Sequence, residues 1–288
     1  MIGKAACRGA ATIVNAIATG KGAAFGISLE TDALVELEQG PGDIVLKDAK
    51  EGEDLAAGCV RAVALKASRK EIHGEVQIKS EIPISRGLKS SSAVSNAVAL
   101  ATTRALGSQM QDMELILAGI EESMKAGVTI TGAFDDASAC FLGGVVVTNN
   151  RSFTVLSRGT LDPDLDILIH VPERRISKAS VKGLDFSPIR EKIEHALDLA
   201  MKGEYLKAME VNSRAYSKIL DVSEDVAELA RKKGALGAGI SGTGPATVAV
   251  CSRADALEIE RALKRLDGSV LRAKVNDVPA REVVPRLL

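Results

Sequence analysis

The feature of the sequence that most constrains the fold is a change of hydrophobic period between residues 75 and 106. Glu75 to Glu81 (EVQIKSE) alternates polar and apolar residues, which predicts a half-exposed β-strand. From Ser92 to Leu106 the apolar residues recur about once per helical turn, which predicts a helix with one apolar face. Between them lies PISRGLKSSSA, residues 83 to 93. The chain therefore places a Gly/Ser-rich loop at the start of a long helix.

Strands and helices are mixed in both halves of the chain without a steady strand–helix alternation, which predicts an α+β fold. The predicted strands are Ile27–Glu38, Glu75–Glu81, Gly143–Thr148, Asp166–Val171, Ala246–Cys251 and a closing strand. The predicted helices are Ser92–Leu106, Asp112–Ala126 (capped by Asp112), Ser187–Met201, Tyr205–Leu220, Ser223–Lys232 and Arg253–Leu266. Charge, glycine and proline cluster at 158–163, which predicts two domains, 1–158 and 159–288.

The composition excludes several classes of function. Lys+Arg number 37 against 38 Asp+Glu, and a formal net charge of -1 gives no general attraction for nucleic acid or an anionic membrane. Aromatic residues make up 2%, which argues against stacking on single-stranded nucleic acid. The 4 cysteines are scattered and the 3 histidines form no H-E-x-x-H motif. We therefore expect a cytoplasmic protein with reduced thiols and no histidine-bound metal, and the oligomeric state stays open.

The segment 83–93 carries the strongest indication of chemistry. A helix start offers unpaired N–H groups and the positive end of the helix dipole. Glycine lets the backbone approach a phosphate, and three serines add hydroxyl groups. The same residue types also occur in an ordinary Ser-rich helix cap, so both interpretations stay open on this segment alone.

PISRGLKSSSA resembles the second signature of the GHMP kinases, P-x-x-x-G-L-x-S-S-A. The resemblance implies that this loop wraps the phosphates of ATP, with Ser91 as a Mg²⁺-binding hydroxyl and Ser90 as a phosphate contact. Lys89 departs from the pattern, because many relatives have glycine there; its side chain would reach a phosphate or point to solvent. The implied ATP-binding residues of this loop are Pro83, Ile84, Ser85, Arg86, Gly87, Leu88, Lys89, Ser90, Ser91, Ser92 and Ala93.

Two further segments support this resemblance. GISGTGPA, residues 239 to 246, is similar to the third signature G-x-S-G-S-G-P, which adds Gly242, Thr243 and Gly244 to the implied ATP site; alone it could be a tight glycine turn. In GAFDDASACFLGG the family spacing of seven residues to the Gly-Gly pair selects Asp136 as the general base. The neighbouring Asp135 is the alternative in a register one residue earlier, or a helix cap.

The N-terminal signature is matched less well. Aligning its Thr-Gly-Lys turn at residues 19–21 places Arg8 where many family members carry a lysine near the base and the γ-phosphate. A cation there would stabilise the charge of the transferred phosphoryl group. Arg8 could equally be a surface arginine on the first strand. For an acidic Mg²⁺ ligand the nearest candidates are Glu121 and Glu122, of which Glu122 is selected, although their spacing to Asp136 is longer than usual and both could be exposed helix residues.

The resemblance covers nearly the whole chain and implies a two-domain GHMP kinase fold, with an N-terminal domain like ribosomal protein S5 domain 2 and a C-terminal α+β sandwich. No G-x-x-x-x-G-K-[ST], H-R-D or D-F-G motif is present, so the chain is neither a P-loop kinase nor a protein kinase. ATP and Mg²⁺ are the implied cofactors.

Within the superfamily, residues 9–31, 85–97 and 131–144 most resemble archaeal shikimate kinases, which implies shikimate as acceptor and its 3-hydroxyl as the phosphorylated group. Its carboxylate would need a cation: Arg86, Arg174-Arg175 or Lys178. A homoserine or mevalonate kinase shares the signatures, although homoserine kinases carry asparagine at position 136. A catalytically inactive metabolite sensor is the alternative from another class.

Overall fold

The N-terminal half forms one six-stranded sheet in the computed structural model, which describes residues 1–47, 52–67, 71–129, 132–176 and 178–286. The strand order is β3-β4-β2-β5-β6, and β1 also pairs with β2. Its strands are β1 Ile2–Val14, β2 Lys21–Gln39, β3 Ile44–Lys47, β4 Ile72–Ser80, β5 Val145–Asn149 and β6 Thr154–Gly159. All pairs are antiparallel except the parallel pair β3–β4.

The described part of the first half also forms four helices, three of which contact the sheet directly while the third in chain order packs against the other helices. They are α1 Glu53–Lys66, α2 Ser90–Ala105, α3 Asp112–Lys125 and α4 Phe134–Leu142. Helix α2 begins directly after the loop that follows β4, so the Gly/Ser-rich segment joins a strand to a helix start as the sequence predicts. Helix α3 begins as predicted, but its N-cap residue is Gln111, not Asp112. The Gln111 N–H donates to Glu114 Oε2 over 2.7 Å.

The C-terminal half builds a second, antiparallel sheet of four strands in the order β10-β7-β9-β8. The strands are β7 Asp166–Val171, β8 Gly237–Ile240, β9 Thr247–Cys251 and β10 Ser269–Lys274. The helices are α5 Lys178–Val181, α6 Arg190–Met201, α7 Tyr205–Leu220, α8 Asp225–Lys232 and α9 Ala256–Leu263. None of the helices in the described part of the chain has the length and apolar content that crossing a bilayer needs.

The two halves share one hydrophobic core. Its fully buried side chains include Phe25 from β2, Ile167 from β7 and Tyr216 from α7. The last part of the chain returns to the first half: the Asn276 N–H donates to the Gly26 carbonyl over 3.0 Å, and the Ala280 N–H to the Phe141 carbonyl over 2.7 Å. The predicted domain boundary at 158 falls inside β6, and the division of the chain into domains stays a prediction.

Every predicted strand and helix overlaps an observed element, which confirms the α+β class. The sequence did not predict α1, β3, α4, β6, α5 or β8, and it indicated β1 only as a first strand that would carry Arg8. Helix α4 matters most, because Asp135 and Asp136 lie in its first turn while its N-cap residue is Ala133. Neither aspartate is therefore the cap that was one interpretation of this pair.

Candidate active site

Five segments that are distant in the chain, one of them represented by Thr129 alone, meet around an open pocket. The β1–β2 connection, Lys89 at the start of α2, the start of α4 and the loop after β8 all contribute to its wall. Its lining residues are Thr12, Asn15, Ala16, Ile17, Lys89, Thr129, Ala133, Asp135, Asp136, Gly242 and Thr243. The predicted site residues Lys89, Asp136, Gly242 and Thr243 therefore lie together.

The loop 83–89 reaches the start of α2 through three residues with positive φ. Ser85, Gly87 and Lys89 have φ angles of 57°, 82° and 65°. These turns leave Lys89 as the N-cap residue of α2. The first N–H groups of a helix have no acceptor within the helix, so this terminus can bind an anion. Ser90 and Ser91 are half-buried in this first turn.

The loop after β8 is joined to the loop 83–89 by hydrogen bonds. Ser241 Oγ donates to the Gly87 carbonyl over 2.8 Å, and the Ala246 N–H donates to the Arg86 carbonyl over 3.2 Å. A side chain at Gly87 would overlap the Ser241 carbonyl oxygen, so glycine is required by both its φ and this close approach. Gly244 lies in the same loop without lining the pocket.

Lys89 does not point to solvent. Its side chain is 5% exposed, and Nζ lies 2.8 Å from Asp136 Oδ1. The same ammonium donates to Thr12 Oγ1 over 2.6 Å. The alternative that Lys89 points to solvent is therefore corrected, because its ammonium forms an ion pair with the predicted base inside the pocket wall, and its contact with a phosphate stays a prediction.

The two adjacent aspartates have different environments. Asp135 is buried, and Asn150 Nδ2 donates to its Oδ1 over 2.7 Å. Burial, with the neighbouring Asp136 charge, raises the pKa of Asp135 to about 7, while the Lys89 charge and the Asn150 hydrogen bond act in the opposite direction. The Asp136 side chain is 17% exposed and lies beside Lys89. Asp136 is therefore the aspartate better placed to meet a substrate.

The structure does not bring Arg8 or Glu122 to this pocket. Arg8 Nη1 donates to Asn276 Oδ1 over 2.6 Å, and its Nε lies 3.4 Å from Glu30 Oε2. The cation beside Asp136 is therefore Lys89, not Arg8. Glu122 accepts from Lys125 Nζ over 2.6 Å and packs against Gly58 of α1. This packing corrects the prediction that Glu122 is a metal ligand of the site.

The candidate cations for a substrate carboxylate lie near the loop 83–89. Arg86 donates to the carbonyl oxygens of Glu173 and Arg174, and Arg174 Nη1 donates to the Asp221 carbonyl over 3.0 Å. The guanidinium groups thus link this loop to the segment after β7. The side chain of Lys178 and the whole of Thr131 lie outside the described residues.

Sequence reasoning missed two polar residues of the pocket, Thr12 and Asn15. Thr12 Oγ1 accepts from the Gly242 N–H over 2.7 Å, and Asn15 Nδ2 donates to the Gly242 carbonyl over 2.8 Å. Their available signal was their polarity in the otherwise apolar run that ends β1 and begins the connection to β2. A short-range pattern could not identify a partner more than 200 positions away in the chain.

The donors at the start of α2 fit a nucleotide with Mg²⁺. The helix terminus and the Ser90 and Ser91 hydroxyls suit phosphate oxygens. The described residues contain no group of three His, Cys, Asp or Glu side chains that could hold a metal ion. Mg²⁺ in kinase sites is bound largely by substrate phosphates, water and one or two protein oxygens, so this donor set agrees with such an ion.

Family models match both halves of the chain. The model for the GHMP kinases N terminal domain matches residues 54–144, and that for GHMP kinases C terminal matches 190–267. The chain belongs to the GHMP kinase family. Curated archaeal relatives of this GHMP kinase extend the match to nearly the full length.

The shikimate kinase of Methanothrix thermoacetophila is 40% identical over 283 residues, which are 98% of this chain and 96% of that protein. The shikimate kinase of Methanococcoides burtonii is 38% identical over 279 residues, 96% of each chain. That of Thermococcus kodakarensis is 39% identical over 259 residues, 89% of this chain and 95% of the relative.

Solved structures agree in fold. The homoserine kinase from Cytophaga hutchinsonii superposes with a TM-score of 0.74 at 20% identity, over 95% of each chain. L. major mevalonate kinase, in complex with R-mevalonate, gives 0.73 at 19% identity, again over 95% of each chain. At such identities these neighbours show the fold alone, and the predicted GHMP kinase fold is confirmed.

Proposed function

We propose that this GHMP kinase transfers the γ-phosphoryl group of ATP to the 3-hydroxyl of shikimate, giving shikimate 3-phosphate and ADP. The observation that carries the proposal is that Asp136 lines the open pocket to which both glycine loops contribute residues. The identities of 38–40% to archaeal shikimate kinases over nearly full length support shikimate as the acceptor.

In the proposed reaction, the first turn of α2 binds the triphosphate through backbone N–H groups and the hydroxyls of Ser90 and Ser91. Asp136 accepts the proton of the acceptor hydroxyl as its oxygen attacks the γ-phosphorus. Mg²⁺ supplies positive charge to the phosphate oxygens when it is bound. Thr12 and Asn15 hold the Gly242 loop in its place in the pocket wall.

We assign the shikimate carboxylate to the arginines beside the loop 83–89, Arg86 and Arg174. Their guanidinium groups lie next to the loop that is proposed to bind phosphate, and both keep exposed surface. A guanidinium matches the planar geometry of a carboxylate through two parallel hydrogen bonds. A cytoplasmic location is also proposed, supported by four free and buried cysteines.

The test is a side-by-side kcat/KM measurement of ADP release with shikimate, homoserine and mevalonate under saturating MgATP. We expect shikimate to be preferred by a factor on the order of 10⁴, because a pocket built to pair several ring hydroxyls rejects acceptors that leave them unpaired. If homoserine or mevalonate equals shikimate, the acceptor is wrong while the kinase activity stands. If none of the three stimulates ADP release, a non-catalytic sensor role becomes the better explanation.

A further inference from the structure

Lys89 has the backbone conformation of a glycine. Its φ and ψ are 65° and 31°, in the left-handed region that residues with a Cβ atom rarely occupy. Glycine would adopt this conformation without strain, so the lysine side chain must compensate for the strained backbone. Strain of this kind at a pocket is a reason to look for a function of the side chain.

The Lys89 ammonium is held in one place by two contacts. Asp136 Oδ1 lies 2.8 Å from Nζ, and Thr12 Oγ1 accepts from Nζ over 2.6 Å. Thr12 Oγ1 also accepts from the Gly242 N–H over 2.7 Å, which fixes the position of this hydroxyl. A buried ammonium needs such partners, because it has lost its hydration. The contact to Asp136 is therefore a fixed feature of the site.

We propose that Lys89 is a positioning residue for phosphoryl transfer: its ion pair holds Asp136 toward the pocket and places a positive charge beside this carboxylate. The inference rests on the proposed function, in which the acceptor hydroxyl gives its proton to Asp136 while the oxygen bonds to the γ-phosphorus and the bond to ADP breaks. The base acts as an acceptor in its ionised form alone. A lysine from the phosphate loop thus takes the position beside the base that the sequence assigns to Arg8.

The other titratable groups around Asp136 do not provide this positive charge. Asp135, in the same turn of α4, is a buried acid whose pKa is raised by burial and by the Asp136 charge, so it supplies no positive charge. Cys140 on α4 and Cys7 on β1 are buried, and burial raises the pKa of both thiols, so they stay neutral near pH 7. Among the described residues, Lys89 is the cation in contact with Asp136.

The first experiment compares the pH dependence of kcat in Lys89→Met and Lys89→Arg with the wild type. Lys89→Met keeps the length of the side chain and removes its charge. We expect the acid limb of the pH–kcat profile to move to higher pH by about one unit or more, because an opposite charge at this distance lowers a carboxyl pKa by that amount, and kcat on this limb to fall about 10-fold for each unit of movement. The loss of kcat should become smaller toward alkaline pH. Lys89→Arg keeps the positive charge, so the acid limb of its pH–kcat profile should coincide with that of the wild type.

The matched control is Lys125→Met, which also breaks a lysine–carboxylate pair at 2.6 Å but on the exposed face of α3. It should leave kcat and the limb unchanged. The variant Asp135→Asn identifies which aspartate causes the acid limb of the pH–kcat profile. If the limb persists without the Asp135 carboxyl group, it belongs to Asp136. An unshifted limb in Lys89→Met, or an increase in the KM for ATP at unchanged kcat, would overturn the proposal and make Lys89 a structural or phosphate-binding residue.

A second measurement does not depend on turnover. Carboxyl-¹³C aspartate labelling follows the titration of Asp136 by NMR, with its signal assigned from Asp136→Asn. The Asp136 midpoint should rise by about one pH unit or more in Lys89→Met. An unchanged Asp136 titration midpoint in folded Lys89→Met would contradict the inference, whether or not the variant is active. If the wild type fails to phosphorylate shikimate, the proposed function fails, while this titration still decides the role of Lys89.

Discussion

At the residue scale, the site separates two neighbouring carboxylates by their surroundings. Asp135 is buried and bonded to Asn150, whereas Asp136 faces the pocket and pairs with Lys89. Low solvation favours the neutral form of a carboxyl group, and a nearby cation favours the ionised form. Burial therefore favours the neutral form of Asp135, and Asp136 is the aspartate that faces the pocket beside a cation.

Replacement of Asp136 tests the assignment of the base. Asp136→Asn should lower kcat by about 10²- to 10⁴-fold, because the amide cannot accept the hydroxyl proton. ATP binding should persist, since the variant leaves the first turn of α2 intact. Steady-state kinetics and ATP titration calorimetry measure the two effects. If Asp136→Asn is active while Asp135→Asn is inactive, the general base is Asp135, one residue earlier in the chain.

Asp135 should make stability depend on pH. Its pKa of about 7 lies above the unfolded value of 3.8, so the native state holds this proton between about pH 4 and pH 7 and the unfolded state releases it. The stabilisation is complete below about pH 4 and is lost as the pH rises through about 7. In urea unfolding, Asp135→Asn should therefore gain stability relative to the wild type over this interval, by on the order of a few kcal/mol. If the free energies of unfolding of the two proteins change with pH in parallel, this linkage is disproved.

At the element scale, the two glycine loops act as one unit with the start of α2. Ser241 Oγ bonds the Gly87 carbonyl, and the Ala246 N–H bonds the Arg86 carbonyl. The first loop cannot move relative to the second without breaking these bonds. The anion-binding terminus of α2 is thus held by a strand connection from the other sheet.

Gly87→Ala should disturb this unit. Its φ of 82° is unfavourable for alanine, and the added Cβ would overlap the Ser241 carbonyl. Gly127→Ala is the matched control, since its φ is 68° and an added Cβ meets nothing within 4 Å. Strain alone costs about 1 kcal/mol. Gly87→Ala should lose clearly more stability than the control and raise the KM for ATP; equal losses would show that the loop contact adds nothing.

At the scale of the whole molecule, the two sheets depend on each other. Tyr216 of α7 donates its hydroxyl to the Asn15 carbonyl over 3.1 Å and accepts from the Ala18 N–H over 2.9 Å. Asn276 bonds the backbone of Gly26 and Gly144. Both residues belong to the second half of the chain but complete the first. The pocket walls therefore form when both halves are folded together.

A fragment of residues 1–158 should accordingly fail to fold alone. It lacks Tyr216 and the returning segment 275–280, which would leave buried backbone groups and core side chains of β2 exposed. Circular dichroism melting and the ¹H–¹⁵N spectrum of the fragment measure this. We expect no cooperative transition and poor dispersion, with recovery when residues 159–288 are co-expressed. A fragment that melts cooperatively by itself would show that the first half is autonomous.

The sequence by itself determined the local features of this protein. Period-two and helical patterns predict β4 and α2, and the glycines and serines between them predict a loop suited to phosphate. The spacing to the Gly143-Gly144 pair selects Asp136. These features depend on residues close together in the chain, where backbone preference and side-chain period act directly.

The tertiary structure decided which side chains meet. Lys89 donates a hydrogen bond to Thr12, 77 positions away in the chain, and lies beside Asp136. Arg8 instead donates to Asn276, which is 268 positions away. No local pattern encodes such pairs, because they depend on how the strand β1, the start of α2 and the end of the chain pack around one core. The family resemblance selects Asp136 as the predicted base from its spacing to Gly143-Gly144, whereas the cation beside Asp136 is found from the packing alone.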